Sequence, residues 1–99
     1  MTINKTQNGA ALTIALEGRL DTMTAPELEA EIKSLPEDVK ELTFDLEKLD
    51  YISSAGLRVL LSSQKLMTRL GGSMKVIHVN EVVQEVFDVT GFADILTIA

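Results

Sequence analysis

Apolar residues alternate with polar ones in some stretches of the chain and recur every third or fourth position in others, and these two periods mark its elements. Thr2 to Thr6 and Ala11 to Leu16 read as strands on either side of Asn8-Gly9, a strong hairpin signal. Leu12, Ile14 and Leu16 share one face, which implies a sheet buried on one side. Gly18 is expected to end the second strand, with Arg19-Leu20-Asp21 opening a loop. Thr24-Ala25-Pro26-Glu27 then carries a helix start: a cap, a first-turn proline and a glutamate three residues after the cap. Leu28, Ile32 and Leu35 form its inward face, and Pro36 ends it.

Alternation resumes at Glu41 to Leu46, where Leu42, Phe44 and Leu46 face one way and Thr43 and Asp45 the other. Leu49 and Ile52 fall in a connecting segment. From Leu57 the spacing turns helical through Leu60, Leu61 and Met67, with Val59, Leu66 and Leu70 widening the stripe. Gly71-Gly72 reads as its stop, the first glycine left-handed. Ser73 to Val79 is the next strand, and Asn80 caps a last helix packed through Val83, Val86 and Phe87 and ended by Gly91. Ile95 to Ile98 can add a short edge strand. The order is strand, strand, helix, strand, helix, strand, helix, which predicts an α/β fold with a single mixed β-sheet packed against helices. The first pair is antiparallel, and Leu42 to Leu46 runs parallel to Ser73 to Val79.

The change of period falls at Ser53-Ser54-Ala55-Gly56. A serine there can cap the helix by accepting one of its unpaired first-turn N–H groups, and either Ser53 or Ser54 can do so. The same helix end tolerates a phosphate, because N–H donors and aligned peptide dipoles converge on it. A phosphoserine would add about 1.5 to 2 negative charges and could switch a contact by repulsion without unfolding the domain. The plainer reading is that both serines only cap and pack. Gly56 suits a close backbone approach as well as a helix start. Arg58, on the first helical turn, faces the wrong end of the helix dipole and calls for a carboxylate or a partner contact.

LEKLDYISSAGLRVLL resembles the phosphorylatable loop and following helix of the STAS domain, as found in the anti-sigma factor antagonists of bacterial stress and sporulation regulation. The usual motif of that family is Asp-Ser-Ser/Thr-Gly-Leu-Gly. Alignment on the glycine sets Gly56 and Leu57 on their counterparts and Arg58 where glycine is frequent. Ala55 then falls on the second hydroxyl residue, Ser54 on the phosphoacceptor and Ser53 on the aspartate. Glu17-Gly18-Arg19-Leu20-Asp21 resembles the early Gly-Glu-Leu-Asp segment of the family, with Asp21 on its acidic position. The resemblance spans nearly the whole chain and implies a STAS-like fold over residues 1–99. It further implies a partner switch: the unphosphorylated domain sequesters an anti-sigma factor with serine kinase activity, which frees a sigma factor. Phosphorylation of Ser54, with Ser53 as the runner-up, breaks the contact, and a PP2C-type phosphatase restores it. The protein-binding surface it implies comprises Asp21, Tyr51, Ile52, Ser53, Gly56, Leu57 and Arg58.

Composition narrows the alternatives. A chain of 99 residues without cysteine has one core, no disulfide, no thiol chemistry and none of the usual zinc knots. Its net charge of -6 argues against binding nucleic acid or anionic lipid. The polar start and the lack of an apolar run near the about 20 residues a membrane helix needs point to a cytoplasmic protein. His78, the only histidine, lies in an apolar strand and reads as a packed or surface group with no nucleophile set around it. Asp21, Asp45, Glu47 and Asp50 could gather around a cation, but loop carboxylates are ordinarily solvated, and neither metal nor cofactor is expected. Gly71-Gly72 follows a helix and is no nucleotide loop. Tyr51 suits an interface anchor better than a catalytic group. The expectation is a non-enzymatic regulator. A constitutive scaffold whose serines are never modified and a small-ligand, nucleotide-type sensor are the alternatives.

Overall fold

The two strand periods of the hairpin are realised as β1 (Thr2–Asn8) and β2 (Ala11–Leu20), antiparallel about Gly9, which adopts φ +63°. In the computed structural model, which describes Met1–Ala99, helix α1 (Ala25–Lys33), strand β3 (Glu41–Ile52), helix α2 (Ser54–Arg69), strand β4 (Ser73–Ile77) and helix α3 (Glu81–Thr90) follow. A single 3-10 turn, Phe92–Asp94, closes the chain's regular structure. The sheet order is β1-β2-β3-β4, with β2, β3 and β4 mutually parallel, so the sheet is mixed as expected. Alternate residues of β2 and β3, among them Ile14, Leu16, Phe44 and Leu46, join the inward faces of the helices in one cluster of 22 buried hydrophobic residues. Each such side chain contributes about 1.5–3 kcal/mol on leaving water.

Several boundaries differ from the sequence reading, each for a local reason. Strand β3 runs on through Leu49 to Ile52 instead of ending at Leu46. Its register explains why the alternation breaks. Ala15 and Glu17 pair with Asp45 and Lys48, so Leu16 alone stands opposite Leu46 and Glu47; Gly18 and Arg19 pair with Leu49 and Tyr51, which leaves Asp50 without a partner. Each extra residue is a β-bulge that resets the phase and returns the next apolar side chain, first Leu49 and then Ile52, to the buried face. At the first bulge Asp45 Oδ1 accepts from the Glu47 N–H at 3.1 Å. Gly18, expected to end β2, lies within it at φ +97°, and the strand continues to Leu20.

Helix α1 ends at Lys33, so Leu35 packs on the core from beyond the helix. The Thr24 hydroxyl makes no cap to α1. In α2 the buried stripe includes Ser63, whose hydroxyl donates to the Val59 carbonyl at 2.7 Å and so is satisfied inside the helix, whereas Leu70 at the helix end is exposed. Gly71 and Gly91 are left-handed at their helix ends, φ +75° and +80°. Strand β4 stops at Ile77 rather than Val79, because His78 turns to φ +55°. Asn80 caps α3 by accepting from the Val83 N–H at 3.0 Å, and its amide donates to the Leu49 carbonyl at 2.6 Å, tying α3 to the bulged part of β3. The expected edge strand at Ile95 to Ile98 reduces to one parallel bridge between Ile98 and Val76.

Candidate functional site

The loop that joins β3 to α2 is held by the strand beside it. The Ser53 N–H donates to the Leu20 carbonyl at 2.9 Å, where β2 ends, so the exits of β2 and β3 form one platform. Ser53 is the N-cap of α2: its backbone is extended, its Oγ accepts from the Gly56 N–H at 3.4 Å, and its carbonyl accepts from Leu57 N–H at 2.9 Å. Ser54 is the first helical residue and is exposed, and its hydroxyl has no partner within the chain. The N–H groups of Ser54 and Ala55 likewise have no acceptor in the chain. The two serines, interchangeable by pattern, thus have different duties: Ser53 is half-buried and caps, and Ser54 offers a free oxygen at a helix end able to stabilise an anion.

Below the loop, Gly56 is buried and its position is dictated by packing. A Cβ there would come within 2.7 Å of Leu20 Cγ and 2.9 Å of Ile52 Cγ1. Only a bare backbone lets the first turn of α2 rest on the ends of β2 and β3. Three of the residues expected at a protein contact are buried in the free chain. Ile52 and Leu57, 2% and 4% exposed, and Gly56 between them pack in the core beneath the loop and set its height.

The surface is made by other side chains. Tyr51 is 37% exposed, and the Arg19 guanidinium lies 4.3 Å from its ring centre, since Arg19 and Tyr51 pair across β2 and β3. Arg19 Nε also stands 3.6 Å from Asp21 Oδ2. Asp21 organises the turn into α1: its Oδ1 accepts from the N–H groups of Met23 at 3.0 Å and Thr24 at 3.1 Å. The Thr24 hydroxyl is consumed by the same turn, accepting from Asp21 N–H at 2.8 Å and donating to the Arg19 carbonyl at 2.8 Å. Partial desolvation pulls the Asp21 pKa upward, but the backbone N–H groups of Thr24 and Met23, the Thr24 hydroxyl and the Arg19 charge together outweigh it, and the carboxyl lies below its ordinary value.

Met23 projects from that turn, 84% exposed. Arg58 is exposed and lines a shallow groove with Thr22, Ala25, Pro26, Ala55 and Ser62 between the Asp21 turn and α2. Sequence reasoning passed over Arg19 and Met23. The signal for Met23 was a lone large apolar residue in a polar loop; Arg19 had none, because its stacking on Tyr51 depends on the bulged register.

Of the four carboxylates weighed as a cation cluster and expected to be solvated, Asp45 and Glu47 lie together, joined by His78, with one ligand atom from each within 4.8 Å of the others; Asp21 and Asp50 are not in the group. His78 is exposed and its Nδ1 lies 3.0 Å from Asp45 Oδ1, an arrangement that satisfies the bulge carboxylate at the end of β4.

Comparison with known proteins accords with this geometry. The profile of the STAS domain family matches residues 2–99. BtrV of Bordetella bronchiseptica is 36% identical over 89 residues, 89% of this chain and 77% of BtrV. The anti-sigma-B factor antagonist of Bacillus subtilis is 31% identical over 93 residues, 94% of this chain and 85% of that protein. Among solved structures, the anti-sigma factor antagonist SpoIIAA of Bacillus has the same fold in both of its forms. The unphosphorylated form superposes with a TM-score of 0.79 at 17% identity, covering 99% of this chain and 87% of SpoIIAA. The phosphorylated form gives 0.78 at 18% identity, covering 99% and 91%. No helix of the chain is long and apolar enough to cross a membrane.

Proposed function

This chain belongs to the STAS domain family, and from that membership we propose that it is an anti-sigma factor antagonist whose hold on its partner is controlled by phosphorylation of Ser54. The partner is an anti-sigma factor with serine kinase activity. Unmodified, the domain sequesters that protein and releases a sigma factor. The kinase transfers the γ-phosphoryl group of ATP to Ser54 Oγ, whose proton is lost, and ADP leaves. A PP2C-type phosphatase hydrolyses the phosphoserine and restores binding. The domain itself performs no catalysis and works in the cytoplasm.

The observation that carries this reading is the division of labour at the loop: Ser54 is exposed with a free hydroxyl, whereas Ser53 is spent on the cap. The contact surface comprises Ser53, Ser54, Tyr51, Arg58 and the Asp21 turn, with Met23 and Tyr51 as apolar anchors. A phosphate dianion at its centre must be desolvated against the partner, a cost that releases the complex while the amides of Ser54 and Ala55 receive the charge within the helix.

Incubation with the cognate kinase and ATP is expected to add one phosphoryl group, mapped to Ser54. Ser54→Ala is expected to bind constitutively and resist release, and Ser54→Asp to bind at least about tenfold more weakly, about 1.4 kcal/mol. Ser53→Ala is expected to keep phosphoacceptor activity while losing about 0.5–2 kcal/mol of stability with its cap. Stoichiometric phosphorylation of Ser54→Ala overturns Ser54 as the acceptor in favour of Ser53, and equal affinity of the modified and unmodified chain for the partner overturns the switch and leaves a constitutive binding module in its place.

A further inference from the structure

Arg58 is the cation nearest to Ser54 along α2, four residues on and one turn along the same face. The ion pairs of the structure join Lys5 to Glu31, Arg19 to Asp21, Lys33 to Glu29 and His78 to Asp45, and Arg58 takes part in none of them. Glu29, which lines the same groove as Arg58, is engaged by Lys33 at 3.1 Å. Arg19, the other guanidinium near the loop, is held by Tyr51 and Asp21. A free guanidinium therefore stands one turn from a free hydroxyl, at the helix end where a positive charge is least favoured by the peptide dipoles.

We propose that Arg58 is the intramolecular receptor for a phosphoryl group carried by Ser54, an inference that rests on Ser54 being the acceptor. Residues four apart on a helix have Cβ atoms about 5–6 Å from each other, within reach of an arginine fork and phosphate oxygens. The dianion is then held by Arg58 on one side and by the open amides of Ser54 and Ala55 on the other. The geometry is selective between the two serines, because the residue four positions after Ser53 is Leu57, which is buried and apolar. Capture of the phosphate also withdraws the guanidinium from the surface offered to the partner. Phosphorylation thus adds negative charge and removes a positive one from the same contact.

The test uses the full chain with phosphoserine placed at position 54 during translation, so that no kinase is needed. Phosphorus NMR titration at low salt reports the second dissociation of the phosphate, ordinarily near pH 6, in the chain with Arg58 and in Arg58→Gln and Arg58→Lys variants. Circular dichroism checks that each is folded; the exposed position makes all three expected to be. Arg58→Gln is expected to bind the last phosphate proton at least about twofold more tightly than the chain with Arg58, Arg58→Lys to lie between them, and the difference to shrink in high salt. Equal dissociation constants with arginine and glutamine at this position overturn the proposal. Partner affinity of the same phosphorylated chain is measured separately. Loss of binding without any dependence of the titration on Arg58 sinks this inference alone, and dependence on Arg58 with undiminished binding sinks the regulatory reading alone.

Discussion

Asp21 shows at the scale of one residue how the site's electrostatics are fixed by the backbone. Its carboxylate accepts two N–H groups and faces Arg19, and these favour the charged form over the neutral one. A carboxyl whose pKa is lower in the folded than in the unfolded chain contributes stability above the unfolded value of about 3.9, and this contribution is lost as pH falls through the lower folded value. Asp21→Asn keeps an acceptor oxygen and loses the titration. The variant is therefore expected to be less stable than the parent at neutral pH, with the gap closing in acid below the ordinary carboxylate range. Urea unfolding at pH 7 and pH 3 measures this, and a gap independent of pH would show that the charge of Asp21 contributes nothing. The sequence placed Asp21 at the site but gave its neighbour Thr24 the capping role; in space the Thr24 hydroxyl turns back to the Asp21 turn, because two hydrogen bonds there outweigh one at the helix start.

The elements were legible where their period was unbroken. Strand β4 as far as Ile77 and helices α2 and α3 follow from apolar spacing and from Asn80, Gly71 and Gly91, each of which does what its local chemistry dictates. Strand β3 was read short because two bulges shift the alternation by one residue each, and period-two reasoning takes such a shift for the end of a strand. The same bulges carry Tyr51 to Arg19 and bring Ile52 under α2, so the part of the site that the sequence concealed depends on them. Ile52, Gly56 and Leu57 were placed in the contact by motif, yet motif position does not distinguish a residue that touches a partner from one that supports the loop. Gly56→Ala discriminates between these roles. A methyl 2.7 Å from Leu20 Cγ overpacks the junction of α2 with the sheet, at a typical cost of about 1–3 kcal/mol, and the better helix propensity of alanine returns at most about 1 kcal/mol. Because contacts of 2.7 and 2.9 Å to branch-point and inner side-chain atoms force a shift, the cost falls in the upper part of that range, about 2–3 kcal/mol, and the net loss is about 1–2 kcal/mol, read as a lower urea midpoint at unchanged slope. A variant as stable as the parent would mean that α2 does not sit this close to β2 and β3.

For the molecule as a whole, the question is whether a charge placed at Ser54 stays local. Helix α2 has 16 residues, about 24 Å at 1.5 Å each, whereas the reach of a charge at physiological salt is about 8 Å. About the first turn and a half of α2 and the exits of β2 and β3 fall inside that reach. The far end of α2, strand β4 and the tail that bridges Val76 through Ile98 are separated from it by the length of the helix and by a continuous core. SpoIIAA superposes almost equally in its two forms, with TM-scores of 0.79 and 0.78, so this fold is common to both states of that protein. Phosphoserine at position 54 is therefore expected to shift backbone amide resonances in Arg19 to Thr24 and Tyr51 to Val59 and to leave Met67 to Ile77 and Glu85 to Ala99 in place. The melting temperature is expected to change by less than about 8 °C, which for a chain of this size corresponds to about 1 kcal/mol. Collapse of amide dispersion, or shifts running through β4 and α3, would mean that the phosphate acts by loosening the domain, and release of the partner would then follow from a lost shape instead of from a charge set on an intact surface.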